Sequence, residues 1–155
     1  YTLDVEQVAD TIQDWHTILS ERYNNLIEES SIGENSELLI MIVQNNDIAK
    51  KIGDDFDLME QFNEMISRFK GMNVAIIFSN YNNVSLSYDA PEPLRLIKEQ
   101  QHIIFFEDLD NLKPFEVPYE ELKANRKRLE TGDAYYIEDN MVTKLKIVKS
   151  NPSEG

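Results

Sequence analysis

Two histidines, scattered carboxylates and no cysteine set the chemical repertoire of this 155-residue chain. His16 lies beside Trp15 in a helical pattern and His102 just ahead of an apolar run, and each reads as a structural or surface residue. The lack of cysteine excludes a Cys–His nucleophile, a thiolate zinc site and a disulfide framework, and it fits a reducing compartment. No Gly-x-Ser-x-Gly elbow is present. Asp54, Asp55 and Asp57 have the composition of a calcium loop, but its glycine and distal glutamate are not at their spacing. Acids opposing a helix dipole account for them instead. A P-loop needs a glycine-rich turn followed by Lys and Ser/Thr. The five glycines are Gly33, Gly53, Gly71, Gly132 and Gly155, and none precedes Lys-Ser or Lys-Thr. Nucleotide binding by that mechanism is excluded for this segment.

The remaining candidates stand where apolar runs end, since open α/β sheets bind ligands beyond the carboxyl ends of their strands. Those ends read Gln44-Asn45-Asn46-Asp47, Ser79-Asn80-Tyr81 and Glu107-Asp108. Asp47, Glu107 and Asp108 could line a metal or substrate crevice, or simply be the polar loops that strand ends require.

The elements that must position these residues follow from periodicity. Val5, Val8, Ile12, Trp15, Ile18, Leu19, Tyr23, Leu26 and Ile27 recur at helical spacing over residues 4–29. A loop spans 30–36. Leu38 to Val43 is continuously apolar, the mark of a strand buried on both faces. Asp54 or Asp55 caps a helix that buries Phe56, Met59, Phe62, Met65, Ile66 and Phe69 and stops at Gly71. Val74–Phe78 is a second strand and Ile103–Phe106 a third; between them Pro91 or Pro93 opens a short helix through Gln100. Pro118 leads into a helix through about Leu129, rich in Lys123, Arg126, Lys127 and Arg128. The end reads as a hairpin, Ala134 to Glu138 and Met141 to Val148, turning at Asp139-Asn140. Helices alternating with apolar strands predict a three-layer α/β domain with a mainly parallel sheet over residues 1–150, and 151–155 form a frayed tail.

Composition limits the partners. Fifteen basic and 29 acidic residues give a formal charge of −14. Residues 1–112 carry 7 Lys/Arg against 21 Asp/Glu, whereas 113–155 hold 8 of each. A module that binds duplex nucleic acid needs clustered cations to displace counterions, and a pI near 4.4 with no basic stripe argues against one. Hydrophobic content of 41% is that of a folded domain. No apolar run reaches the roughly 18 residues of a membrane span. With no signal peptide and Tyr1 as first residue, the chain reads as a soluble domain cut from a larger protein.

The order of elements, with Ile66-Ser67-Arg68-Phe69-Lys70-Gly71 closing a helix and Gly132-Asp133-Ala134-Tyr135-Tyr136 before the hairpin, resembles the later part of an FtsK/SpoIIIE-type ATPase domain. The resemblance covers roughly residues 5–150. It is greatest to the last ATPase domain of the EssC-type motors of the type VII secretion system of Gram-positive bacteria. It implies a RecA-like, P-loop NTPase-type domain lacking its P-loop, with ATP and Mg²⁺ as cofactors of the parent protein and none for this segment.

In that family the strand after the long helix is a Walker B strand whose terminal acids orient Mg²⁺ and the attacking water. Here Leu38–Val43 is followed by Gln44-Asn45-Asn46, amides where carboxylates are expected, and Asp47 comes late. Gln44, Asn45, Asp47, Ser79 and Asn80 are therefore the remnant of a nucleotide site, and the domain reads as catalytically degenerate. The resemblance implies a module at the cytoplasmic face of the membrane that takes part in substrate recognition and export regulation. Its implied partners are WXG-type helical-hairpin substrates and adaptors, neighbouring ATPase domains and, in the parent, further copies of itself. The alternative is half of an ATPase site, completed by an upstream Walker A segment or a neighbouring subunit. Tyr81, Leu86 and Tyr88 in the loop 79–90 are candidate partner-binding residues, or loop packing over the sheet. Arg68 is a candidate finger toward an adjacent nucleotide, or a solvated arginine.

Overall fold

Leu58, Phe62 and Met65 recur at gaps of four and three, and the stripe they form is the centre of the core in a computed structural model of the chain. The structure describes residues 5–30, 36–79, 90–100, 102–106, 117–125 and 129–147. Asn80, Tyr81, Leu86, Tyr88, Glu107, Asp108, Arg126, Lys127, Arg128 and the tail 151–155 lie outside them, as does most of the loop 30–36. The chain divides into two compact units, Tyr1–Ile97 and Lys98–Gly155.

The first unit contains α1 (Val8–Glu29), β1 (Leu39–Val43), α2 (Asn46–Asp54), α3 (Phe56–Ile66), β2 (Val74–Phe78) and most of α4 (Glu92–Glu99). β1 and β2 pair in parallel, Leu39 opposite Val74 through Val43 opposite Phe78. Side chains alternate across a strand, so Leu39, Met41, Val43, Val74, Ile76 and Phe78 face the helices. They meet Val8, Ile12 and Leu19 of α1, Ile48 and Ile52 of α2, and Leu58, Phe62 and Met65 of α3. Phe62 packs edge-to-face on Phe78 at 6.0 Å. After α3, Phe69 and Met72 turn back into this core, with Gly71 at φ +90° in the reversal, a conformation that favours glycine.

Four expectations change in this unit. The strand read as buried on both faces is covered on one: Ile40 is 40% exposed and Ile77 46%. The helices lie on the opposite side, and a continuous apolar run does not reveal that. Phe56 is 80% exposed, because at the first position of α3 it lies off the line of Leu58, Phe62 and Met65. The segment read as a polar strand end contains a separate nine-residue helix, α2. On α1 the buried stripe is also narrower than the sequence suggests, since Ile18, Leu26 and Ile27 are exposed, as is Val5 ahead of the helix.

The second unit is antiparallel. β3 (Ile103–Phe105), β4 (Asp133–Glu138) and β5 (Met141–Lys146) form one sheet in the order β3-β4-β5, with α5 (Tyr119–Ala124) nearby. The third apolar run is therefore not a strand of the parallel sheet. It is a three-residue strand antiparallel to β4, with Ile104 53% exposed. The helix after Pro118 is six residues long and is capped by Asn125, short of Leu129. The hairpin forms as the residues predict, with Asp139 and Asn140 at φ 48° and 64° in the turn. The fold class is thus α/β, with one small parallel pair and one antiparallel sheet among the described residues. No helix among these residues is long and apolar enough to cross a membrane.

Candidate functional site

Because β1 and β2 are parallel and in register, Gln44 and Ser79 leave the sheet side by side at its carboxyl edge. Gln44 is exposed. Asn45 is extended (φ −128°, ψ 131°), and its side-chain oxygen accepts a hydrogen bond from the Asp47 N–H at 2.7 Å. This is the N-cap of α2, satisfying one of the amides that a helix start leaves without a partner. Asp47 stands exposed in the first turn, where its charge opposes the positive end of the helix dipole. The Ser79 N–H donates to the Val43 carbonyl at 2.9 Å, and its buried hydroxyl oxygen has no hydrogen-bond partner among the described residues. Four of the five predicted site residues are thus gathered at one sheet end, and Asn80 lies outside the described residues. The carboxylate among them sits on a helix turn, and the side chain at the strand's end is a neutral amide.

A second polar cluster joins α1 to α3. The His16 Nε2–H donates to Glu64 at 2.6 Å, and Arg68 donates to the other oxygen of the same carboxylate at 2.9 Å. The Arg68 guanidinium also lies 4.7 Å from the Tyr23 ring centre, within cation–π range. The hydrogen bonds from His16 and Arg68 hold the Glu64 carboxyl below its usual range. Arg22 adds a bond to the Met72 carbonyl at 2.9 Å. Arg68 is a surface arginine, 51% exposed along its side chain, that is held by Glu64 four residues before it and lies over Tyr23 of α1. Sequence reasoning missed the cluster because His16 and Glu64 are 48 residues apart. The one available signal was the i, i+4 spacing of Glu64 and Arg68.

In the second unit Asp133 is 8% exposed and pairs with Lys144 at 2.7 Å and Lys146 at 3.0 Å. Lys144, the Glu130 N–H and Lys146 together hold its carboxyl far below the usual carboxylate range. Tyr135 is fully buried and donates to the Asn125 carbonyl at 3.2 Å. The Tyr136 hydroxyl lies 3.1 Å from His102 Nδ1, and burial, followed by the charge of Glu138, pushes its pKa up. Gly132 adopts φ +84°. The Gly-Asp-Ala-Tyr-Tyr stretch thus has a folding role for most of its residues.

Among the described residues no group of three or more His, Asp or Glu is placed to hold a metal ion. The chain matches no protein-family model, no curated protein and no solved structure.

Proposed function

We propose that this chain is a catalytically degenerate FtsK/SpoIIIE-like module, the C-terminal cytoplasmic part of a type VII secretion motor. In this reading it takes part in substrate recognition and in regulating export. The observation that carries the proposal is Asn45. At the end of the β1 strand a phosphoryl-transfer site needs carboxylates for Mg²⁺ and water. The side chain there is a neutral amide already engaged in capping α2, and an amide neither takes a proton nor neutralises a metal ion. The apolar outer face of β1–β2, with Ile40 and Ile77 exposed, supports a RecA-like three-layer arrangement in which a further layer covers the sheet. Partners in this reading are helical-hairpin substrates, their adaptors and the neighbouring ATPase domains at the cytoplasmic face of the membrane.

A second reading, half of an ATPase site completed from elsewhere, draws on Ser79. Its hydroxyl is buried without a partner among the described residues at the same strand end, where an external acceptor would satisfy it. ATP hydrolysis with Mg²⁺ and binding of a fluorescent nucleotide, measured on the chain together with the Walker A segment or neighbouring subunit that would complete the site, separate the two. The proposal expects neither turnover nor saturable nucleotide binding. Nucleotide binding that weakens on Ser79→Ala would favour the half-site.

A further inference from the structure

Among the described residues of the first unit, β1 has one edge paired with β2 and one edge with no strand beside it. Leu39 N–H donates to the Asn73 carbonyl and Ser79 N–H to the Val43 carbonyl, each at 2.9 Å. With the parallel register this directs the main-chain groups of residues 39, 41 and 43 toward β2, and those of Ile40 and Ile42 toward the opposite edge. Among the described residues β1 pairs with β2 alone. Folded proteins blunt such edges with lysine, proline or bulges; Leu38 to Val43 contains neither residue, and its ladder with β2 runs without a bulge. The side chains beside the open edge are apolar and accessible, Leu38 at 60% and Ile40 at 40% exposure.

We propose that this edge accepts an extended segment of a partner polypeptide, added as a strand along Ile40–Ile42, with apolar side chains toward the sheet and Lys or Arg at its ends. Charge selects this occupant. Glu37 and Asp47, both exposed, bracket the strand in sequence, and residues 1–97 carry 17 Asp/Glu against 6 Lys/Arg. A second copy of the chain brings the same negative charge and is repelled, as are nucleic acids and anionic membranes. A cationic extended segment gains main-chain hydrogen bonds from the edge and attraction from its flanks. The inference rests on the edge geometry and is independent of the secretion reading.

The test titrates the 155-residue chain with a short labelled peptide of alternating valine and threonine ending in lysine on both sides. Anisotropy reads binding, and amide exchange by NMR reads the site. Saturable binding with slowed exchange at Ile40 and Ile42 is expected. The same peptide ending in glutamate should bind about fivefold more weakly, from the loss of two opposite-charge contacts. Ile40→Lys, at a surface position, should weaken the lysine peptide at least about tenfold by blocking the edge with charge. The exchange measurement on the unaltered chain needs no variant to fold. Absence of binding, binding without protection at Ile40 and Ile42, or equal affinity for both peptides overturns the proposal. So does protection of these amides without peptide in a chain that sediments as a dimer, since a second copy then fills the edge.

Discussion

An asparagine at an N-cap accepts one main-chain hydrogen bond and carries no charge, and Asn45 does this for Asp47 at 2.7 Å. Removing the cap with Asn45→Ala is expected to lower stability by about 1 kcal/mol. Asn45→Asp should leave stability nearly unchanged, because aspartate caps as well as asparagine. Urea unfolding of the two variants checks this; an equal loss for both would show that the amide does something other than cap. Glu64 carries a pH dependence of definite sign. Its carboxyl is held below the ordinary value of 4.5 in the folded chain by His16 and Arg68. A depressed folded value stabilises above the unfolded value, and the stabilisation is lost as pH falls through the folded value. The stability gap between the native chain and Glu64→Gln should therefore be widest near neutrality and close on acidification below 4.5. Urea midpoints measured at both ends of that range test it, and a gap that widens on acidification would contradict the assignment.

At the scale of elements, the β4–β5 hairpin rests on two left-handed positions and one glycine. Gly132 sits at φ +84°, and a Cβ there would lie 3.1 Å from the Ile147 carbonyl oxygen. Gly132→Ala should cost about 1–2 kcal/mol, read as a lower thermal midpoint; a neutral result would mean that the backbone there relaxes freely. This hairpin was legible in the sequence because Asp139-Asn140 tolerates the positive φ of a tight turn and the flanking residues alternate. Helix α3 was legible from its period, but Phe56 and Met59, three apart, mimic a second apolar stripe beside the true one. Helix α2 was not legible: nine residues with Lys50-Lys51 and Gly53 among Ile48, Ala49 and Ile52 leave too short a period to distinguish from a loop. Nor was the pairing of β3. Three apolar residues specify a strand but not its neighbour, and antiparallel pairing with β4 depends on contacts that form only when the chain is folded. The site shared this limit. The strand-end residues could be located, whereas the capping role of Asn45 and the His16–Glu64–Arg68 cluster required helices whose juxtaposition no spacing encodes.

At the scale of the whole molecule, a net charge of −14 directs association toward polypeptides that are neutral or basic where they touch it, or that dock through apolar surface. It makes binding to acidic helical hairpins depend on apolar contacts or on the charge-balanced segment 113–155. The proposed reading, a module that binds rather than turns over, draws on the amides at the β1 terminus and on the exposed apolar face of its sheet. Calorimetric titration of the folded chain with purified WXG-type helical-hairpin substrates and their adaptors tests that claim most directly. The account predicts saturable heat at micromolar affinity, about −8 kcal/mol, with no ATP hydrolysis in the same sample. A folded chain that gives no heat with any of these proteins, or that hydrolyses ATP, would contradict it.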